Sequence, residues 1–418
     1  MRVLLAHKFF NLVGGAEVFV QETARILQEN GHEVHFLTTG NPDDVDWSEA
    51  ISPSQVTFVD PPEYDSGSPV RKLANLPKAI WSTQAKKVTA DLLKKFQPDL
   101  LHCFAVHVHL SPSILAAAKE ANIATVMTCN DYKHICPNYK LFHHGRVCED
   151  CAGGKFFNAV KNRCAKDNYA HSVASALEAQ FHASRNVYGK LVDHYTFSSD
   201  FMANKTIEFW PGREFSWSKL RNPFNSKDFT HSTEDDGYAL YFGRLVEEKG
   251  VSLLLEAAKL CPDVPIKIVG DGPELERLQS TKRASNLDQV DFLGPVWGDA
   301  LTPILKRARC IVVPSLWHEN FPYVINQAFA VGRPVIGANR GGIPELVADG
   351  ERGLVFKVED VGSLAKALDT LNNSTKDAAR MGQNAKLWSD ETFSDQAYYT
   401  DLLSAYERAI HANSDHGG

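Results

Sequence analysis

The sequence predicts an α/β fold with parallel sheets in more than one domain, and three stretches carry that prediction. Residues 308–343 open with the β-branched run Cys310, Ile311, Val312, Val313 and pass through a polar, aromatic turn over 315–320. Apolar residues then return at helical spacing from Tyr323 (Val324, Ala328, Val331). Gly332 and Pro334 stop that helix and 334–338 reads as a second strand, so the stretch is strand–turn–helix–strand. From Tyr238 onward the same alternation recurs with short, uninterrupted apolar runs, the pattern of strands buried on both faces. At the other end, a short apolar strand over 3–6 leads through Gly14-Gly15 into a helix from about Ala16. A chain of 418 residues has room for two or three such domains.

In order, residues 33–38 form the second strand, followed by an acidic loop over 41–46. Residues 70–96 set Arg71, Lys72, Lys78, Lys86, Lys87, Lys94 and Lys95 around Leu73, Leu76, Ile80 and Trp81. This is a helical surface with a wet lysine face, and basic residues beside a tryptophan also suit an anionic membrane surface. Strands at 100–104 and 123–129 flank a helix over 111–121. Their ends carry His107 and His109, then Asn130-Asp131. A strand at 195–199 closes the first half. In the second half a strand ends at Arg244 and a helix starts after Gly250. Gly270-Asp271-Gly272 lies between strand and helix without the third glycine of a dinucleotide fingerprint, which excludes a nicotinamide-dependent dehydrogenase. The strand about Leu293 to Val296 follows, and a last helix runs from Thr392–Ser394 to about His411, with Thr392 or Ser394 as its hydroxyl cap.

Residues 134–166 contain Cys136, Cys148, Cys151 and Cys164 at C-x11-C-x2-C-x12-C spacing. Four thiolates at such spacing fit a closed structural zinc site that stiffens a core-poor insertion. An iron–sulfur cluster takes the same ligands, and free thiols or, in an oxidising setting, disulfides are the plainer readings.

The helix at 323 has Glu319 just before it and Gln327 two turns along it. Taken with Gly14-Gly15-Ala16-Glu17, Arg244 with Lys249, and Gly341-Gly342-Ile343-Pro344-Glu345 in that order, the chain resembles the retaining glycosyltransferases of family four. The resemblance implies the GT-B fold: two Rossmann-like α/β domains facing each other across a deep cleft, the C-terminal helix crossing back to the first. The domains would be an acceptor-binding 1–221, a nucleotide-sugar-binding 222–390 hinged at Asn222-Pro223-Phe224, and the returning helix 391–418. It implies that Glu319 contacts the donor sugar and that Arg244 and Lys249 clamp the donor diphosphate, as catalytic groups. Two cations suit a leaving diphosphate, with arginine adding bidentate hydrogen bonds. Gly14 and Gly15 would lie over that diphosphate. Gly270, Asp271, Leu293, Asn320, Phe321, Tyr323 and Val324 would complete the donor side at strand ends and a helix N-terminus, whose positive end attracts phosphate. Gln327 stands where the family has a second glutamate and still hydrogen-bonds a ribose diol. Asn130 stands where the family often has a histidine. With Asp131, His107 and His109 it forms the expected acceptor side.

The implied activity is transfer of a hexose from a nucleoside diphosphate sugar, UDP favoured, to a saccharide or lipid-linked saccharide acceptor in polysaccharide or glycoconjugate synthesis. No cofactor is expected for catalysis. Asp44-Val45-Asp46 has the form of a metal-binding Asp-x-Asp but sits in a solvated loop, away from any strand end. The alternative is a GT-B scaffold that binds nucleotide sugar or a partner without transfer.

Composition narrows the remaining classes. Hydrophobic residues at 44% and charged residues at 23% are ordinary for a globular protein, and a net charge of −7 argues against a nucleic-acid binder. No apolar run is long enough to span a bilayer and MRVLLAHKFF is too short for a signal peptide. The expected setting is cytoplasmic, peripheral on the inner membrane face, with thiols kept reduced.

Overall fold

A computed structural model describes residues 1–11, 15–45, 51–61 and 69–416, side chains within 69–74 and at 416 excepted. The chain divides into two compact units. One is Met1–Leu141, Glu149–Pro223 and Asp395–Gly418; the other is Phe142–Cys148 and Phe224–Ser394.

The first unit is built on seven parallel strands. They are β1 (Arg2–His7), β2 (Glu33–Thr39), β3 (Val56–Val59), β4 (Leu100–Phe104), β5 (Ala124–Cys129), β8 (His194–Phe197) and β9 (Trp217–Lys219). Between β5 and β8 the chain forms a small antiparallel hairpin, β6 (Phe142–His143) with β7 (Arg146–Val147). The sheet order is β3-β2-β1-β4-β5-β8-β9, so winding proceeds outward both ways from β1 and β4. Val3, Leu4, Leu5 and Ala6 are all fully buried, which is why β1 reads as a continuous apolar run. His102 is a polar exception at the sheet centre. Its ring nitrogens find Thr128 Oγ1 at 2.7 Å and Tyr406 Oη at 2.9 Å, which satisfies both without a charge.

Tyr406 comes from the C-terminal helix Asp395–His416. Tyr398, Leu402, Tyr406 and Ala409 bury against Val3, Leu5, Phe19, Leu27 and Phe104. Asp395 pairs with Arg25 at 3.0 Å, Tyr398 Oη with Thr23 Oγ1 at 2.7 Å, and Asn413 donates to Asn122 O at 3.2 Å. The end of the chain is thus part of the first unit's core. Of the two expected caps, Thr392 is the last residue of the preceding helix, Thr375–Thr392, which the Phe393 amide closes on Ser389 O, and Ser394 stands directly before Asp395.

The second unit has six parallel strands in the order β12-β11-β10-β13-β14-β15. They are β10 (Ala239–Phe242), β11 (Ile266–Val269), β12 (Val290–Gly294), β13 (Cys310–Val313), β14 (Val335–Ala338) and β15 (Gly353–Phe356). Again the winding reverses between two central neighbours, here β10 and β13. The strands β3, β9 and β15 have no counterpart in the sequence reading, and β9, not β8, closes the first half. Each is a short edge strand with half-buried positions, so it lacks the unbroken apolar run that marks a central strand.

The basic stretch resolves into two helices, Pro69–Ile80 and Thr83–Phe96, the second capped by Ser82 Oγ accepting from the Ala85 amide at 3.0 Å. Lys87, Lys94 and Lys95 are exposed, but Trp81 is half-buried, edge-on to Phe181. The tryptophan therefore packs inward instead of projecting as a membrane anchor. Among the described residues no helix is long and apolar enough to cross a membrane.

Candidate active site

Open parallel sheets bind ligands at the carboxyl ends of the strands where winding reverses, because the two loops diverge there and leave a crevice. In the second unit those loops follow β10 and β13. They are pressed together: the Leu316 amide donates to Glu248 O at 2.9 Å, and a Cβ on Gly250, at φ +70°, would fall 2.0 Å from Pro314 O. Only glycine allows that approach. The contact sets Lys249 beside Glu319. Lys249 Nζ donates to Glu319 Oε1 at 2.6 Å, and Ser315 Oγ donates to the same oxygen at 2.7 Å. The glutamate side chain is 6% exposed and the lysine 30%, so the carboxylate is buried while the ammonium stays at the rim.

A third loop, after β14, supports Glu319 from behind. The Gly342 amide donates to Glu319 O at 2.7 Å, and a Cβ on Gly341 (φ +60°) would lie 1.9 Å from that oxygen. This is what Gly341-Gly342 does in the fold. Just beyond, helix Tyr323–Ala330 begins after Pro322 and points its positive end at the same crevice. The Ile325 amide is engaged by Pro322 O at 3.0 Å. Asn320, Tyr323, Val324 and Gln327 lie half-exposed around this helix start.

Arg244, in the loop after β10, is exposed, and its side chain has no carboxylate partner among the described residues. Its backbone is fixed by Tyr241 Oη donating to Arg244 O at 2.8 Å. Trp317 was not singled out from the sequence. Its ring centroid lies 5.6 Å from Lys249 Nζ, and its buried indole N–H meets no acceptor among the described residues. A tryptophan in a polar turn between strand and helix was the available signal.

Two expected donor residues have other work. Phe321 is buried, edge-on to Phe393 at 5.8 Å between centroids, so it anchors the loop in the core and offers no ligand surface. Asp271 is exposed, but its carboxylate accepts from the Gly272 amide at 2.7 Å and its carbonyl from the Leu245 amide at 2.8 Å. It shapes the turn that stacks the β11 loop on the β10 loop. Gly270 serves the same stacking, since a Cβ there would fall 1.9 Å from Gly243 O in the β10 loop, while its amide donates to Gly294 O at the end of β12 at 2.9 Å. Leu293, at the end of β12, is 41% exposed, as an edge for an apolar ring requires.

In the first unit the reversal lies between β1 and β4. Gly15 opens the helix Gly15–Glu29, while Gly14 and Asp46 lie outside the described residues. His7, ending β1, donates from Nδ1 to Phe104 O at 2.9 Å and meets Glu17 Oε1 through Nε2 at 3.0 Å, both side chains buried. Burial pushes the Glu17 carboxyl up, but the hydrogen bond and charge of His7 outweigh it and hold it below the usual carboxylate range. His109 is half-buried, edge-on to Phe9 at 4.9 Å, and burial, with Lys8 and His7 nearby, pushes it down to about 4. It is neutral at pH 7. Burial raises the Asp131 carboxyl although it accepts from the Lys133 amide at 2.9 Å. Asn130 is half-buried at the end of β5. His107 departs from the expectation: it is buried, hydrogen-bonded through Nδ1 to Tyr188 Oη at 2.7 Å, and belongs to the core.

The four cysteines of the insertion have different surroundings. Among the described residues no three His, Cys, Asp or Glu side chains gather as a metal ion requires. Cys136 Sγ donates to Asn138 Oδ1 at 3.2 Å and Asn138 Nδ2 to Cys164 O at 3.3 Å. Cys151 and Cys164 pack with Phe156, Ala159 and Ala176, and Cys148 is half-buried. Cys151 and Cys164 thus line a small apolar core, while Cys136 belongs to the main core of the first unit.

Two family models match in tandem: Glycosyltransferase Family 4 over residues 13–212 and Glycosyl transferases group 1 over 224–388. The chain belongs to the group 1 glycosyltransferases. Among curated relatives, a D-inositol 3-phosphate glycosyltransferase of Corynebacterium efficiens is 32% identical over 54% of this chain and 55% of its own. The chain spans 51%, 14% and 55% of the length of the first three curated relatives it matches. Among solved structures, sucrose-phosphate synthase from Thermosynechococcus elongatus superimposes with TM-score 0.70 at 19% identity, covering 98% of this glycosyltransferase and 99% of that chain. Anabaena HepE, solved in complex with UDP, gives TM-score 0.69 at 17% identity over 97% and 99%. At such identities the likeness establishes the GT-B fold of this glycosyltransferase.

Proposed function

We propose that this glycosyltransferase moves a hexose from a UDP-sugar, with retention of anomeric configuration, to a saccharide or lipid-linked saccharide acceptor. The observation that carries the reading is the buried Glu319 carboxylate, tied to Lys249 and Ser315 at the strand reversal of the second unit. An idle scaffold would have no need to hold a carboxylate and an ammonium against a helix N-terminus, because burying the pair costs desolvation that simple packing avoids. Solution of Anabaena HepE with UDP supports uridine as the donor nucleotide.

As the bond from the anomeric carbon to the diphosphate breaks, its electron pair goes to the phosphate oxygen and positive charge grows on the sugar. Lys249, Arg244 and the start of helix Tyr323–Ala330 stabilise the leaving diphosphate electrostatically. Glu319 holds sugar hydroxyls and opposes the growing positive charge. The acceptor hydroxyl attacks from the leaving-group face and gives its proton to the departing phosphate oxygen, so the configuration is kept. Fixed cations supply the countercharge, and the reading assigns no role to a divalent metal. His109, neutral and following β4 at the reversal of the first unit, and Asp131, just beyond the end of β5, are the groups for acceptor hydroxyls.

The test is transfer and slow hydrolysis across a panel of radiolabelled nucleotide sugars, with the product anomer read by NMR. Glu319→Gln should lower turnover by about 100-fold or more with UDP affinity little changed. An inverted product, or full activity in Glu319→Gln, would reject the mechanism.

A further inference from the structure

The helix Tyr169–Ser184 presents an outward face at odds with its surroundings. Its sequence, YAHSVASALEAQFHAS, contains one formally charged residue, Glu178, and that one is buried in an ion pair with Lys133 at 2.7 Å. Its exposed large side chains are Tyr169 at 61%, Val173 at 40% and Leu177 at 51%, spaced i, i+4, i+8 on one stripe, with Ala170, Gln180 and Ser184 as the other exposed positions. The short helix Phe157–Lys161 packs on it through Ala159 against Ala176 and leaves Phe157 76% exposed. Single exposed apolar residues are ordinary, but four on two adjoining helices, with no charge on the longer helix's outer face, form a surface that seeks a partner.

The surrounding charge names that partner. Lys155, Lys161, Arg163 and Lys166 are all exposed in the segment leading into the helix, in a chain whose net charge is −7. Arg163 also lies over the Tyr169 ring, 5.6 Å from its centroid, and within 3.5 Å of Asp167. A second copy of the chain would bring two basic rims together, which opposes self-association. Apolar side chains ringed by lysine and arginine instead match an anionic bilayer, where the stripe enters the acyl boundary and the cations meet lipid headgroups. We propose that this face, not the lysine surface about Trp81, docks the first unit on an anionic membrane. The buried side of the same helix holds Glu178, whose partner Lys133 donates its amide to Asp131. Docking there would place a lipid surface directly behind the β5 loop. The surface stands whether or not the acceptor is lipid-linked.

The full chain should sediment with phosphatidylglycerol vesicles at low salt, be released at high salt and ignore phosphatidylcholine vesicles. Val173→Ser/Leu177→Ser should lower the partition coefficient about tenfold or more, and Lys155→Gln/Lys161→Gln about 25-fold, since each basic residue near such a surface is worth about fivefold. Both double variants change exposed positions, and an unchanged melting curve checks the fold. Lys87→Gln/Lys94→Gln/Lys95→Gln should bind as the parent does. Absence of low-salt sedimentation, or loss of binding only in the last variant, overturns the proposal. So does a change of oligomeric state in Val173→Ser/Leu177→Ser with vesicle binding intact, which would make the face a self-association surface.

Discussion

Replacing Lys249 by methionine separates the structural from the chemical role of the pair with Glu319. The change keeps the apolar stem and removes the ammonium, leaving a carboxylate 6% exposed with Ser315 as its remaining side-chain donor. Stranding one member of a buried pair costs about 3–5 kcal/mol. Because Lys249 is 30% exposed, water screens part of that, and about 1–3 kcal/mol is expected. For a unit of this size that is a fall in melting temperature of roughly 2–12 °C. Lys249→Met/Glu319→Gln should recover most of it, since a neutral amide needs no counter-charge. The recovered protein should still transfer sugar about 100-fold or more below the parent. Calorimetry should show UDP affinity down about 10- to 100-fold in both lysine variants. If the single variant melts within about 1 °C of the parent and keeps its UDP affinity, the pair is neither a structural tie nor a diphosphate clamp.

Arg244→Ala should weaken UDP binding about 10- to 100-fold without moving the melting temperature, because that side chain is exposed; unchanged affinity in calorimetry would remove it from the clamp. Gly341→Ala forces a Cβ to 1.9 Å from Glu319 O and should abolish transfer and cost several kcal/mol, whereas Gly350→Ala, at φ +79° with nothing within 4 Å, should cost about 1–2 kcal/mol. Equal urea midpoints for the two would refute the packing argument. Burial, with His194 nearby, holds His102 down to about 3, and burial does the same to His134. Unfolding frees each to titrate near 6.5, so stability is complete above about pH 6.5 and falls as pH drops toward 3, by about 2 kcal/mol per histidine at pH 5. A urea midpoint that stays flat between pH 7 and pH 5 would contradict this.

Much of the site was legible because it rests on backbone requirements that leave residue signatures. Gly250 and Gly341 sit where neighbouring carbonyls exclude any side chain, and Glu319 and Lys249 belong to the loops those glycines bring together. Fully buried strands such as β1 and β13 were legible for their unbroken apolar runs. What could not be read was which way an aromatic or histidine side chain turns. His107, Phe321 and Trp81 occupy loops or helix ends in sequence, yet each is drawn inward by one partner far along the chain: Tyr188, Phe393 and Phe181. Spacing carries no trace of such pairings.

The C-terminal helix has a consequence for how the protein is made. Tyr398, Leu402 and Tyr406 complete the core around β1 and satisfy His102, but they are translated about 300 residues after it. A ribosome adding roughly 5–20 residues per second needs on the order of ten to thirty seconds to traverse Phe224–Ser394 alone. During that interval the second unit's sheet is available to assemble, while the first presents an unfilled groove where Phe19, Leu27 and Phe104 await their partners. The unit encoded first is therefore finished last, and its nascent form keeps apolar surface open the longest.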